Sequence, residues 1–186
     1  MESMSALPSD PAGQLAAAES ARQRLAASLG TPAWFHTWLG VATTVQIGAV
    51  AYGLSDDASG PRLVAVALGA LFFAVVVAVL WLRFRRLNGA RVGGLFSKAL
   101  MGTSNRAALA ETAGLGVAVW AGLVGLWWLV ALASVSGGVG YAVSARLWWR
   151  DYQRDPASHA HGDSRGMLAV VGLATVAGLV ALLVLG

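Results

Sequence analysis

Few side chains in this 186-residue chain could do chemistry, and their spacing limits what that chemistry could be. His159-Ala160-His161-Gly162-Asp163 sets two imidazoles and a carboxylate at i, i+2 and i+4, a pattern able to offer metal ligands. No further ligand clusters with them, and a short polar loop collects such residues without any metal. The chain has no cysteine, which excludes disulfides and thiolate metal sites alike. His36 stands beside Trp34 and Trp38, where an imidazole with one hydrogen bond is the plain reading and a proton relay the sharper one. Glu111 lies near the start of an apolar run, where a carboxylate complements a helix dipole. A functional role for it requires burial against Gln46 or a basic residue. No Walker loop, nucleophile elbow or zinc-protease helix is present. The expectation is a protein that is not an enzyme, with no catalytic residue, cofactor or bound metal.

The elements that must position these residues are apolar runs of bilayer length. Apolar residues make up 57% of the chain and charged ones 12%, with a mean hydropathy of +0.65. A soluble domain of this size could not hide so much apolar surface, so lipid is the natural solvent. Trp127-Trp128 and Trp148-Trp149 lie 21 residues apart. At about 1.5 Å per helical residue that is roughly 31 Å, close to the ~30 Å hydrocarbon core of a bilayer. The two pairs read as interfacial belts at the ends of one span.

The expected fold is all-α: a polytopic transmembrane helix bundle, with spans at about 33–54, 63–82, 107–124, 127–149 and 167–186. The third and fourth spans are joined by a tight turn near Gly125. Residues 1–32 form a cytoplasmic tail, and 33–186 the transmembrane domain. Within the tail, Asp10-Pro11 caps a helix and Gly30-Thr31-Pro32 ends it, giving 11–29. Leu15, Ala18, Ala21, Leu25 and Leu29 fall on one face of it, suited to docking on inner loops or on a partner. Between the second and third spans, Val92, Leu95, Phe96, Ala99 and Leu100 repeat as an amphipathic helix over about 91–102, lying in the inner interface. Arg83, Arg85, Arg86, Arg91 and Lys98 there face anionic lipid.

Charge decides the orientation. With five spans and the N-terminus inside, twelve of the thirteen basic residues lie on the inner side and only Arg62 outside. Four spans, the alternative, would split them eight to five. Basic residues in short loops prefer the cytoplasmic side, which favours five. The basic excess thus points to the inner leaflet of the cytoplasmic membrane and away from nucleic acid.

Small and polar residues inside the spans suggest what the helices do. Gly114, Ala118 and Gly122 recur every four positions in the third span, and Ser136, Gly140 and Ser144 in the fourth. Such stripes let helix backbones approach closely in lipid, and the two could face each other across the hairpin. Thr43, Thr44 and Gln46 are the polar residues of the first span; Gln46 should face another helix.

Two resemblances follow from short motifs. Leu126-Trp127-Trp128 with Val139-Gly140-Tyr141 is similar to the pore helix and filter of potassium channels. That family's filter needs a threonine before this triplet and a glycine after it, where this chain has Gly138 and Ala142. Pro32-Ala33-Trp34-Phe35-His36 and Trp149-Arg150-Asp151-Tyr152 resemble segments of small multi-pass membrane proteins of high-GC actinobacteria, a likeness that implies no particular activity. The function expected is that of a non-enzymatic membrane protein acting through helix packing, as a homo-oligomer or a subunit of a larger complex. The alternative is a small channel or facilitator with a polar path near Gln46.

Overall fold

A computed structural model describes residues 10–55, 60–89 and 105–156. Among the described residues the chain is all-helical, with five helices and no strand. Helix α1 is Pro11–Ser28; the Asp10 carboxylate accepts the Ala12 N–H at 3.4 Å and Pro11 takes the first turn. Helix α2 is Phe35–Leu54 and α3 is Gly60–Asn88. Helices α4 (Asn105–Leu123) and α5 (Trp127–Arg154) form a hairpin. Its turn depends on Gly125, whose φ of 74° is open to glycine without strain; Leu126 N–H then closes on Ala121 C=O at 2.8 Å.

Helix α2 is the centre of the bundle. It packs against α3 on one side and against both α4 and α5 on the other, whereas α3 packs chiefly on α2. Helix α2 runs antiparallel to α3 and α5 and parallel to α4, so its start meets the ends of α3 and α5 and the start of α4. There Phe35, Leu39, Leu80, Phe84, Ala107, Tyr141, Trp148 and Trp149 form one buried cluster with Leu29. Toward the other end Ile47, Ala51, Ala118, Ala121, Val130 and Ala133 form a second, built of smaller side chains.

Adjacent glycines let α5 touch two helices at once. A Cβ on Gly137 would sit 3.2 Å from Gly114 Cα on α4, and one on Gly138 would sit 2.5 Å from Gly40 C=O on α2. No residue with a side chain fits at Gly138 without moving backbone. Three-helix contact at this level therefore requires the pair.

Two helices, α3 and α5, are long and apolar enough to cross a membrane. In the most apolar stretch of α3 only 11% of residues are buried, against 39% for α5. Helices α2 and α4, with 20 and 19 residues, fall short of that measure. The physical reason is position: α2 is wrapped by its neighbours and can carry Thr43, Thr44 and Gln46. Helix α3 presents Leu63, Val64, Leu68, Leu71, Val75, Val79 and Leu82 outward and needs an apolar sequence.

One expectation needs correction. Trp148 and Trp149 are 6% and 4% exposed, inside the aromatic cluster, so they are not an outward belt. Trp148 stacks on Tyr152, Trp149 meets Phe84 edge-on, and α5 continues past them to Arg154. Trp127 and Trp128 do face outward. Helix α5 runs unbroken through Val139-Gly140-Tyr141, which makes this stretch a glycine-rich packing helix and leaves no filter loop. Helix α1 leaves Leu15 and Leu25 exposed and buries only Ala26, with Leu29 just beyond it. Its mostly alanine stripe offers little area to bury, so the pinned C-terminal end sets its position. The interfacial helix 91–102, the span 167–186 and the His159–Asp163 loop lie outside the described residues.

Candidate functional site

The segment joining α1 to α2 is shaped by two side-chain amides. Asn88, at the end of α3, donates from Nδ2 to Gly30 C=O at 2.8 Å and accepts the Gly30 N–H on Oδ1 at 2.9 Å. The same Nδ2 also reaches Phe84 C=O at 3.1 Å. Gln153, on α5, donates to Leu29 C=O at 3.0 Å. Asn88 thus bonds both polar groups of one backbone residue, which fixes that residue as a sheet partner would.

Beyond this clamp the chain turns sharply into α2. Trp34 has φ 70°, a left-handed conformation unusual for a bulky residue, and no side chain caps the helix start. Its indole is 71% exposed. The turn walls a cavity of 630 Å³ together with the last turns of α5. Thr31, His36 and Thr37 line one side, and Arg146, Arg150 and Gln153 the other. Both guanidinium charges act on His36 across the cavity. Neither arginine has a carboxylate within ion-pair distance among the described residues; Asp151 pairs instead with Arg154 at 3.9 Å. The result is a concave basic site with hydroxyl and amide donors around it, suited to an anion.

A second, apolar cavity of 260 Å³ lies between α2 and α3 and shares Ala33 with the first. Trp38, Val75, Val76, Val79 and Leu80 line it, with Arg83 at its rim. Arg85 and Arg86 are exposed on the same helix end, Arg85 lying 4.8 Å over the Trp81 ring. Arg91 and Lys98 lie outside the described residues.

The small-residue stripes divide between neighbours. Gly114 meets Gly137, and Gly140 meets Ala110, across the α4–α5 hairpin. Ala118 is buried in the second cluster, while Gly122 lies against Ala51 and Ser55 of α2. Ser136 is exposed, its hydroxyl donating to Ala133 C=O at 3.0 Å, and Ser144 is half-buried. The closest contacts of α5 run through Gly137 and Gly138, visible in sequence only as a glycine pair.

The polar residues of α2 also separate. Thr43 is buried and returns its hydroxyl to Leu39 C=O at 3.0 Å. Thr44 faces Gly138, and Gln46 lies beside Gly69 of α3. Gln46 Oε1 is buried without a hydrogen-bond partner among the described residues, as is Ser134 Oγ on α5, which faces Gly48. Neither cavity described above is lined by Thr43, Thr44 or Gln46. Glu111 is half-buried, and its charge reaches Tyr141 on α5. No group of three His, Cys, Asp or Glu able to hold a metal occurs among the described residues.

Comparison with family models, with curated proteins and with solved structures finds no match to this chain. Any functional reading therefore stands on the site itself.

Proposed function

We propose that the chain is a multi-pass protein of the cytoplasmic membrane, without enzymatic activity, that works through helix packing as a homo-oligomer or a subunit of a larger membrane complex. The observation that carries this reading is α3, whose most apolar stretch is only 11% buried. In water such a bare face would be an aggregation site; in lipid it is at rest. The proposed topology has five spans with the N-terminus inside, residues 167–186 being the fifth. Support comes from the ends of the bundle. Arg83, Arg146 and Arg150 line cavities at the end where α2 starts, while Arg62 stacks on Tyr52 at the other, 5.7 Å from its ring. That is the charge asymmetry cytoplasmic loops show.

Assembly is tested by measuring the mass of the full chain in a mild detergent. A stable mass above one chain, alone or with a co-purifying membrane protein, is expected; a strictly monomeric, partner-free protein would sink the reading.

A second reading, a small channel or facilitator, is favoured by Gln46 Oε1, buried without a hydrogen-bond partner among the described residues. A buried amide oxygen with no donor is destabilising by about 1–3 kcal/mol, and a passing solute could satisfy it. Solute flux into proteoliposomes should then fall with Gln46→Leu. Unchanged flux removes Gln46 from the pathway.

A further inference from the structure

Resting on the membrane reading, we infer that the paired cavities at the start of α2 form a binding site for one anionic phospholipid. Its phosphate sits between Arg146 and Arg150, and an acyl chain runs along Trp38 and Val79. Three observations converge on this ligand. First, the 630 Å³ cavity gathers two guanidinium groups with Thr31, His36 and Gln153, and no carboxylate is within ion-pair distance of either arginine among the described residues. Guanidinium forks match phosphate oxygens in pairs, and weakly hydrated arginine releases its water more readily than lysine would. Second, α2 begins at the wall of this cavity with no side-chain cap, so the positive end of its dipole adds to the field there, although Phe35 N–H is taken by Pro32 C=O.

Third, the basic cavity does not stand alone. At Ala33 it adjoins the 260 Å³ apolar cavity whose walls are Val75, Val76, Val79, Leu80 and Trp38, with Arg83 at the rim. A free phosphate would use only the first space. A diacyl phospholipid uses both, charged head above and hydrocarbon below, and the exposed Trp34 indole stands where an interfacial ring belongs. The clamp by Asn88 and Gln153 gives the site its rigidity, because it holds the connecting segment from two helices at once. Sequence reading placed lipid contact on the α3 end and the following loop. The geometry adds a headgroup pocket built mainly by α5.

The test is lipid retention by the full detergent-purified chain, read by native mass spectrometry. Dioleoyl phosphatidylglycerol, dioleoyl phosphatidylcholine and inorganic phosphate are supplied separately. Wild type should retain one phosphatidylglycerol, at least fivefold above phosphatidylcholine. The variant Arg146→Gln/Arg150→Gln should bring that preference to within twofold, whereas Arg85→Gln/Arg86→Gln, on the open surface of α3, should keep it. Arg146→Lys/Arg150→Lys, with charge retained, should fall between. A preference that survives in the first variant, or falls equally in the second, overturns the site. Retention of inorganic phosphate as strong as that of phosphatidylglycerol overturns the lipid and leaves an anion pocket. Thermal unfolding followed by tryptophan fluorescence checks that the variants fold, the arginines being exposed. Resistance of the wild type to alkaline carbonate extraction tests membrane insertion separately, so failure of the one reading is distinguishable from failure of the other.

Discussion

Gly138 has no room for a side chain. A methyl group there meets Thr44 Oγ1 and the backbone of both Gly40 and Thr44, and backbone gives way only by moving the helix. Gly138→Ala should therefore destabilise by about 1–3 kcal/mol, the usual range for overpacking. Gly116→Ala, where nothing lies within 4 Å, should be neutral or slightly stabilising. Comparing their unfolding in the same detergent checks the pair, and equal losses would contradict the close α2–α5 approach. Ser134 tests the opposite sign. Its buried hydroxyl has no hydrogen-bond partner among the described residues, so Ser134→Ala should be neutral or stabilise by about 1 kcal/mol. Clear destabilisation in that variant would mean the hydroxyl is satisfied.

The element-scale feature is the joint between α1 and α2. Asn88 makes two hydrogen bonds to it and Gln153 one, from helices distant in sequence. Net contributions of roughly 0.5–1.5 kcal/mol per bond, small for the exposed Gly30, put Asn88→Ala at about 1 kcal/mol. Most of that loss should appear locally, because α1 touches the rest mainly through its last residues. Limited proteolysis after Arg22 and Arg24 should accelerate in Asn88→Ala while α2–α5 stay protected. No change in cleavage would show that α1 is held elsewhere. None of this was legible in the sequence: an asparagine after an arginine run reads as a helix stop. The motif at Asp10-Pro11, by contrast, was legible, because capping is a local event among residues two or three apart.

For the whole molecule the decisive measurement is the side on which residues 157–165 lie. The chain has no cysteine, so Ser158→Cys gives a single thiol. An impermeant maleimide should label it only after cells are opened, if five spans and an inner N-terminus are right. Labelling in intact cells would leave four spans and reverse that loop. The break between α4 and α5 at Gly125 belongs with the five-span topology, since it makes two antiparallel helices of what could have been one long run.

Helix positions could be read from the chain alone because the signals are local. Apolar runs, a glycine-centred break and capping residues mark where α1 to α5 lie, although α3 runs on to Asn88 and α5 to Arg154, past the apolar runs. Which face of each helix turns inward could not, because inward and outward residues are equally apolar when lipid is the expected solvent. Trp148 and Trp149 look like a belt in sequence and become core in three dimensions, because α5 meets the ends of both α2 and α3 there. The basic cavity was equally hidden: Arg146 and Arg150 counted only as charges until the fold set them opposite His36, more than a hundred residues away in sequence. Composition determines the solvent and local motifs the helices. Only the assembly around α2 decides what those helices enclose.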